Sequence, residues 1–254
     1  MKRTLLFAAA FLVPAAPYVA AQQTTNDANP LIRPVTIQTH TIVVPPITAV
    51  PFSATVVIEN KQTLPDGTVA VTRNINLIGR DSRGRTHGEM RRGVPKSSKD
   101  EPRLIEVHLY DPQAGVSTVY YPATHVATRR QQGRPHEVAG FPPAAGPQAA
   151  VEELGPTTME HIDVNCTSRT VVIPAQANSA GVPLKVFDEY CYSPDLHVNV
   201  LLINNDPRTG EHTVSLTNIQ REDPDQSFFE IPEGYKVVDL TPPEGAPALQ
   251  HRAR

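Results

Sequence analysis

The hairpin that decides the fold lies at residues 52–79, with the sequence FSATVVIENKQTLPDGTVAVTRNINLIG. Its first part alternates apolar and polar residues, which is the period of a β-strand that buries one face. The central LPDG motif predicts a turn, because proline presets the first turn dihedral and glycine accepts a positive φ. The following run therefore folds back antiparallel. We predict a register in which Val56 faces Ile75 and Ala54 faces Leu77, since a slip of one residue would separate these apolar pairs.

Short strands separated by turn signals continue on both sides of this hairpin. Proline makes up 26 of the 254 residues and lacks the backbone N–H that a helix needs, so few windows remain for long helices. We therefore predict a mainly β protein with an antiparallel sheet and only short helices. In the hairpin that starts near residue 198, we predict Leu202 opposite Val214. The other predicted strands are 35–44, 86–90, 104–110, 116–121, 125–130, 164–173, 184–192, 198–205, 211–220 and 237–240, and residues 154–162 are predicted as a turn followed by a strand.

The ends of the chain and one internal stretch lie outside this β pattern. The N-terminus has a basic start, an apolar run and a small-residue end at Ala21, which indicates a secretory signal peptide. Its apolar run is too short to span a bilayer, so we expect an exported, periplasmic or extracellular protein without a stable transmembrane anchor. The predicted parts are the signal peptide at 1–21, a flexible lead-in at 22–34, a single β domain at 35–240 with a mobile Pro/Gly/Ala-rich loop at 131–150, and a flexible tail at 241–254.

The two cysteines of the chain lie on the two strands of one predicted hairpin. The register that places Cys166 opposite Cys191 also places Arg169 opposite Asp188 and brings two apolar pairs together. Because independent pairs support the same register, the sequence predicts a cross-strand disulfide in an oxidising compartment. Two buried thiols are the alternative that the sequence leaves open. A redox pair is disfavoured, since such pairs usually form a Cys-x-x-Cys motif.

The sequence lacks the common motifs for catalysis, nucleotide binding and metal binding. The nine histidines are scattered, and none belongs to an H-E-x-x-H motif. The G-x-S-x-G, Walker and G-x-G-x-x-G motifs are absent as well. We therefore predict no enzyme activity, no metal and no cofactor, with a hydrolase whose residues meet only in space as a weaker alternative. A net charge of −3 gives no general electrostatic reason to expect nucleic acid as a partner.

One stretch is strongly basic, namely residues 80–93 with the sequence RDSRGRTHGEMRRG. One interpretation is a solvated turn and strand face. The other is a docking patch for an anion, such as a lipid phosphate or an acidic partner, because guanidinium groups bind such anions well. The candidates for anion docking are Arg83, Arg85 and Arg91.

Several motifs resemble those of known exported proteins. They are Pro51-Phe52-Ser53-Ala54, Arg80-Asp81-Ser82, Gly84-Arg85, Tyr192-Ser193-Pro194-Asp195-Leu196, Asp206-Pro207-Arg208, Gly210-Glu211, Leu216-Thr217-Asn218-Ile219, Asp223-Pro224-Asp225, and the ending from Phe228 through Ile231-Pro232 to Tyr235. Over most of residues 50–240 the chain resembles exported proteins of acidobacterial type. More distantly, it resembles the lipoprotein-carrier and envelope-stress-regulator superfamily of LolA, LolB and RseB types. This resemblance implies a strongly curved antiparallel sheet, a half-barrel, whose concave apolar face holds acyl chains or a protein segment.

Independently of any family, a single sheet must cover its apolar face. The residues either form an ordinary core or, where the face is open, line a lipid or protein site. We therefore predict a protein that binds a hydrophobic ligand, either a lipid or an acylated lipoprotein segment. An envelope protein-interaction or sensor module is the alternative. The candidates for ligand lining are Val56, Ile58, Ile75, Leu77, Met90, Ile105, Val107, Val200, Leu202, Val214 and Leu216.

Overall fold

The computed structural model describes residues 42–64, 66–132 and 149–241. These residues form one sheet of thirteen strands and two short 3-10 helices, at Ala175–Ala177 and Gln226–Phe229. In chain order the strands are β1 (Phe52–Thr63), β2 (Val69–Arg80), β3 (Thr86–Arg91), β4 (Val94–Pro95), β5 (Leu104–Asp111), β6 (Val116–Tyr121), β7 (Val126–Gln131), β8 (Ala149–Met159), β9 (Ile162–Ile173), β10 (Leu184–Ser193), β11 (Val198–Asp206), β12 (Gly210–Gln220) and β13 (Lys236–Asp239).

Two meanders make up the sheet, and the pairing of β1 with β12 joins them. From β1 the sheet continues through β2, β3, β5, β6 and β7, and from β12 it continues through β11, β10, β9 and β8. Val56 on β1 lies opposite Leu216 on β12. The pairing is antiparallel apart from β13, which adds to β7 in parallel, and the short β4 pairs with β2. The prediction of a mainly β protein built on one curled antiparallel sheet is confirmed.

The prediction for residues 154–162 is wrong. Strand β8 begins earlier, at Ala149, and pairs with β9 as far as Met159. Gly155 has a φ of 84°, and the register shifts between Glu153 and Gly155. A glycine in this conformation allows a bulge, so the strand continues through a Gly-Pro sequence that resembles a turn.

Some predictions concern residues that the structure describes only in part or not at all. Of the predicted strand at 35–44, residues 42–44 are described, and they belong to no strand. The predicted signal peptide and lead-in, most of the predicted loop and most of the predicted tail lie outside the described residues. No helix among the described residues has the length and apolar character needed to cross a bilayer.

The predicted register of β1 and β2 is wrong by one residue. Val56 lies opposite Asn76 rather than Ile75. Successive residues of a strand point to opposite faces. Ile75 and Leu77 therefore lie on the other face of the sheet from Val56 and Ala54.

The turn between β1 and β2 explains this slip. The Leu64 amide donates to the Thr68 carbonyl at 2.8 Å, and the Gly67 amide donates to the Leu64 carbonyl at 2.9 Å. Gly67 has a φ of 84°. A left-handed glycine at this position adds one residue to a two-residue hairpin loop and shifts the pairing by one.

Replacing Gly67 with alanine is expected to lower the free energy of unfolding by about 1 kcal/mol, the cost of a left-handed backbone in a residue with a Cβ. The space around Gly67 is open, with nothing within 4 Å of an added Cβ, so no clash contributes. Gly67→Asn is the control and should lose less, because asparagine tolerates this conformation. Urea denaturation measures both values. A loss in Gly67→Asn as large as in Gly67→Ala would contradict the backbone explanation.

The predicted registers in the second meander are confirmed. Cys166 lies opposite Cys191 and Arg169 opposite Asp188, as their shared register requires. The predicted disulfide joins the two cysteines. In the next hairpin, Leu202 lies opposite Val214.

The sheet buries opposite faces in its two meanders. Residues that lie directly opposite each other on paired strands share a face of the sheet. Ser53 on β1 lies opposite Gly79 on β2, Gly79 opposite His87 on β3, and His87 opposite Leu109 on β5. Leu109 is therefore on the face of Ser53, whereas Phe52 is on the other face. The second core, on the face of Leu109, contains Val107, Leu109, Tyr120 and Ala127. The first core, which includes Phe52, contains Ile42, Phe52, Ala54, Val56, Ile58, Ile78, Ile162, Val164, Cys166, Cys191, Leu196, Val198, Val200, Leu202, Val214 and Leu216.

Candidate functional site

The eleven candidates for ligand lining do not share one face. Val107 belongs to the second core, on the other face from the first core. Ile75 is half-buried, whereas Leu77, Met90 and Ile105 are 37–43% exposed. The remaining six pack together in the first core with exposures of 0–6%, and they are Val56, Ile58, Val200, Leu202, Val214 and Leu216.

Arg80 closes one end of the first core. It is fully buried, and its Nε donates to the Val50 carbonyl at 2.8 Å. Its two Nη atoms donate to the carbonyls of Pro45 at 2.7 Å and Leu196 at 2.8 Å. Burial lowers the pKa of the Arg80 guanidinium to about 10, so it stays charged at neutral pH. Sequence reasoning placed Arg80 in a solvated basic stretch and missed this role.

A polar rung closes the other end of the first core. Arg169 Nε donates to Asp188 Oδ2 at 2.9 Å, and Asn204 Nδ2 donates to Asp188 Oδ1 at 2.7 Å. His212 Nδ1 lies 2.5 Å from Asn60 Oδ1. The register aligns these side chains across β9, β10, β11, β12 and β1. Polar side chains therefore close both ends of the first core, and its buried apolar residues pack against one another between them.

Each candidate for anion docking has a carboxylate partner within its own turn or strand. Arg85 Nε lies 2.6 Å and Arg83 Nε 3.4 Å from Asp81 Oδ2, and Arg91 Nε lies 2.8 Å from Glu89 Oε2. Burial opposes ionisation of Asp81, but hydrogen bonds from Arg85 outweigh it and lower the pKa of this carboxyl. An external anion would have to compete with these carboxylates.

A strap formed by residues 225–235 lies over the second core. Asp225 caps the short helix of the strap, because its Oδ1 accepts from the Ser227 amide at 2.8 Å. The Phe228 ring stacks on the His87 ring with centroids 3.7 Å apart. Tyr235 packs edge-on against Tyr120 at 5.2 Å. The strap therefore covers the face of β3 and β5–β7 that the second core occupies.

Between the strap and β5–β7 lies a cleft of about 470 Å³. This volume is in the range of small-molecule sites. Its lining combines aliphatic and aromatic side chains with charged groups, and consists of Arg85, Thr86, Leu109, Tyr110, Asp111, Ala114, Val116, Thr118, Arg129, Phe229, Glu230 and Ile231.

One polar group beside the cleft is unsatisfied. The Tyr110 hydroxyl is buried and has no hydrogen-bond partner among the described residues. Tyr110 follows Leu109 on β5, so its side chain points to the opposite face of the sheet from the strap, and its hydroxyl is not part of the cleft wall. Beside the cleft, burial raises the pKa of the Tyr120 hydroxyl to about 12, so this group remains a neutral phenol.

Sequence reasoning missed the cleft. Leu109 and Val116 alternate correctly in their strands, but the wall formed by Phe229 and Ile231 comes from more than 100 residues further along the chain. The only signal was the F-x-I-P-x-G-Y ending, which pointed to a family and to no contact. For metals, the described residues contain no group of three or more His, Cys, Asp or Glu side chains that could hold an ion.

Comparison with protein-family models and with curated proteins gives no match. Among solved structures, the chain is similar to an uncharacterised conserved protein from Thermus thermophilus, with a TM-score of 0.38 and 9% identity over 75% of this chain and 91% of that chain. It is similar to MucB, solved in complex with MucA from Pseudomonas aeruginosa, with a TM-score of 0.37 and 10% identity over 75% of this chain and 58% of that chain. For a LolA superfamily protein from Nitrosomonas europaea, the TM-score is 0.30 and the identity 11%, over 74% of this chain and 92% of that chain.

At identities of 9–11%, the likeness to these structures concerns the fold alone. The chain spans less than two thirds of MucB. At these identities and TM-scores, the likeness carries no argument about ligand, partner or activity.

Proposed function

We propose that this protein is an exported, non-enzymatic binder of an apolar chain, either a lipid or an acylated lipoprotein segment, and that the cleft under the strap holds this chain. The cleft carries the proposal. Its wall combines Leu109, Val116, Phe229 and Ile231 with the polar side chains of Asp111, Thr118 and Arg129. An apolar wall with one or a few polar groups is the usual composition of a small-ligand site.

The location differs from the one expected from sequence. The first core holds six of the expected lining residues, but these are packed against one another and closed at both ends. The cleft borders the second core instead, which contains the expected candidate Val107. The ligand site of this proposal is therefore on the opposite face of the sheet from Val56 and Leu216.

Export is the second part of the proposal. The signal-like N-terminus supports it, and so does the disulfide between Cys166 and Cys191, since disulfides form and persist in oxidising compartments. In such a compartment an acyl chain needs a protein cover in order to remain in water.

Filling the cleft tests the ligand site. Ala114 lines the cleft, whereas Gln113 lies in the same turn and does not line it. The amides of both residues donate to Asp111 Oδ1, so both variants keep the backbone contacts of the turn. Ala114→Trp is expected to weaken binding of a fluorescent C16 fatty acid by about tenfold or more, and Gln113→Trp to leave it unchanged. Equal affinities in the two variants would overturn the assignment of the cleft.

A second candidate function is a protein-interaction module of the envelope. Within the described residues β8 is the last strand on its side of the sheet, and its Val151 and Leu154 are 55% and 47% exposed. An exposed edge strand with apolar side chains can accept an added strand from a partner. Purification from the native envelope followed by mass spectrometry separates the two functions. Bound acyl chains support the ligand binder, whereas a stoichiometric protein without lipid supports the interaction module.

A further inference from the structure

The contact between His87 and Phe228 determines which ring nitrogen of His87 carries a hydrogen. His87 is buried on β3, and its Nδ1 lies 2.5 Å from the Phe228 carbonyl oxygen. Because a carbonyl oxygen only accepts, Nδ1 must carry the hydrogen. The two rings are also nearly parallel, with an angle of 16° between their planes. His87 therefore holds the strap through one hydrogen bond and one ring stack.

The other ring nitrogen of His87 has no place for a proton. Nε2 is buried and has no hydrogen-bond partner among the described residues. In the neutral ring this nitrogen is a buried lone pair, an uncharged acceptor without a donor. In the charged ring it would be a buried N–H without an acceptor, and that is expensive. In agreement with this geometry, burial lowers the pKa of His87.

The charged groups around His87 do not remove this cost. Just before β3, Arg85 is bound to Asp81, and on β3 Glu89 is bound to Arg91. β2 contributes the uncharged Gly79 opposite His87. On the face of His87, the other charged side chains of the packed elements are Arg73 on β2, Asp111 on β5 and Asp225, Glu230 and Glu233 on the strap, whereas Arg80 on β2 and Glu106 and His108 on β5 point to the other face; none of these groups bonds to Nε2.

Contacts of the strap with β2 and with the turn before β3 depend on the same docked position. Gly79 leaves no room beside the Phe228 ring, because an added Cβ would lie 2.8 Å from Phe228 Cε1. The Arg85 guanidinium lies over the Phe229 ring at 4.8 Å. If Phe228 leaves His87, the cleft wall formed by Phe229 moves with it, since Phe228 and Phe229 are neighbours in one short helix.

We propose that the strap is an acid-opened cover of the cleft, in which protonation of His87 undocks Phe228 and exposes the second core. The closed strap binds neutral His87, whereas the open strap leaves the ring in water, free to take a proton. As pH falls below about 6.5, the ordinary pKa of histidine, each pH unit favours the open form by up to tenfold. The inference rests on the proposed function for what the cleft holds, and not for the opening itself.

Hydrogen–deuterium exchange tests the opening without any ligand. The reporting amides are Phe228, which donates to Asp225, and Glu230, which donates to Ser227. After correction for intrinsic exchange, their protection is expected to fall about tenfold or more between pH 7 and pH 5, while the amides of β9–β12 stay protected. Equal corrected protection at the two pH values would overturn the proposal.

Two variants assign the effect to His87. His87→Asn keeps an N–H donor near the Phe228 carbonyl but cannot titrate, so its strap protection should not depend on pH. His125→Asn is the matched control, because His125 contacts Tyr235 of the strap at 5.2 Å and is exposed. This control should keep the pH response of the unaltered protein. A response that persists in His87→Asn would contradict the proposal.

The fatty-acid probe then separates this inference from the proposed function. Weaker binding at pH 5 in the unaltered protein, and equal binding at both pH values in His87→Asn, supports both. A strap that opens at pH 5 in a protein that binds no acyl chain at pH 7 overturns the proposed ligand and leaves the acid-opened strap standing.

Discussion

Replacing Arg80 with methionine is expected to lower the free energy of unfolding by about 4 kcal/mol or more. Methionine is similar to the aliphatic part of the arginine side chain but removes every donor. The carbonyls of Val50 and Leu196 would then lose their donor, whereas the Pro45 carbonyl would keep its hydrogen bond from the Ile47 amide at 2.9 Å. A buried acceptor without a partner costs about 1–3 kcal/mol, and two are affected at once. Urea denaturation at pH 7 measures the loss.

Two further variants show whether the hydrogen bonds of Arg80 are responsible. Arg80→Lys keeps the charge, but a single ammonium group cannot reach three carbonyls that lie in different directions. We therefore expect the free energy of unfolding to fall by about 2 kcal/mol or more. Arg83→Met is the control from the same basic stretch, and it should change stability by less than about 0.5 kcal/mol because Arg83 is half-exposed. A stability of Arg80→Met within about 1 kcal/mol of the unaltered protein would contradict the role of Arg80.

The stability loss of Arg80→Met should also be independent of pH. Since the pKa of Arg80 is about 10, the guanidinium is charged throughout the range from pH 6 to pH 8. Strap opening through His87, by contrast, depends on pH below about 6.5. Urea denaturation at pH 6 and at pH 8 therefore distinguishes the contribution of Arg80, which is the same at both pH values, from that of His87, which is not.

Arg80 shows why a charged stretch is a poor guide to function. In the sequence it is the first of five arginines between residues 80 and 93. Local composition does not show which of the five is buried. What separates Arg80 is its contact with Leu196, which is 116 residues away along the chain. No local pattern contains that information. The same holds for the cleft, whose two walls come from distant segments.

The hairpin of Cys166 and Cys191 could be predicted in detail because its pairs are chemically distinct. A disulfide, an ion pair and apolar pairs all fit one register, and any slip would break all of them. The β1–β2 hairpin has only aliphatic pairs to fix its register. There the position of Gly67 in the turn decides, and the φ of this glycine is a property of the folded chain.

Apolar alternation predicts which residues of a strand share a face, but not which face is buried. Val56 and Val107 both alternate correctly and are both fully buried, yet they belong to cores on opposite faces. The reason is that different segments cover the two meanders: the strap covers one, and Arg80 with the segment before β1 closes the other. The residues expected to line one concave face are therefore found in two places, in the packed first core and beside the cleft on the opposite face.

Removing the disulfide is expected to lower the free energy of unfolding by about 3.5 kcal/mol, from the loop that it closes in the unfolded chain. The two cysteines are 25 residues apart, and both are buried in the first core. The measurement compares Cys166→Ala/Cys191→Ala with the unaltered protein in urea. Reduction in urea should give the same loss in the unaltered protein and no change in the double variant. A loss below about 1 kcal/mol would show that the bridge constrains the unfolded chain little.

The effects of the disulfide and of Arg80 should not add fully. Both hold the loop after β10: the disulfide from Cys191, and Arg80 through the Leu196 carbonyl. Once one attachment is removed, the loop is already less ordered in the folded protein. Removing the second attachment then costs less free energy of unfolding than it would in the unaltered protein. The variant that combines Arg80→Met with both cysteine changes is therefore expected to lose less stability than the two separate losses together. Full additivity would show that the two attachments act on independent parts of the first core.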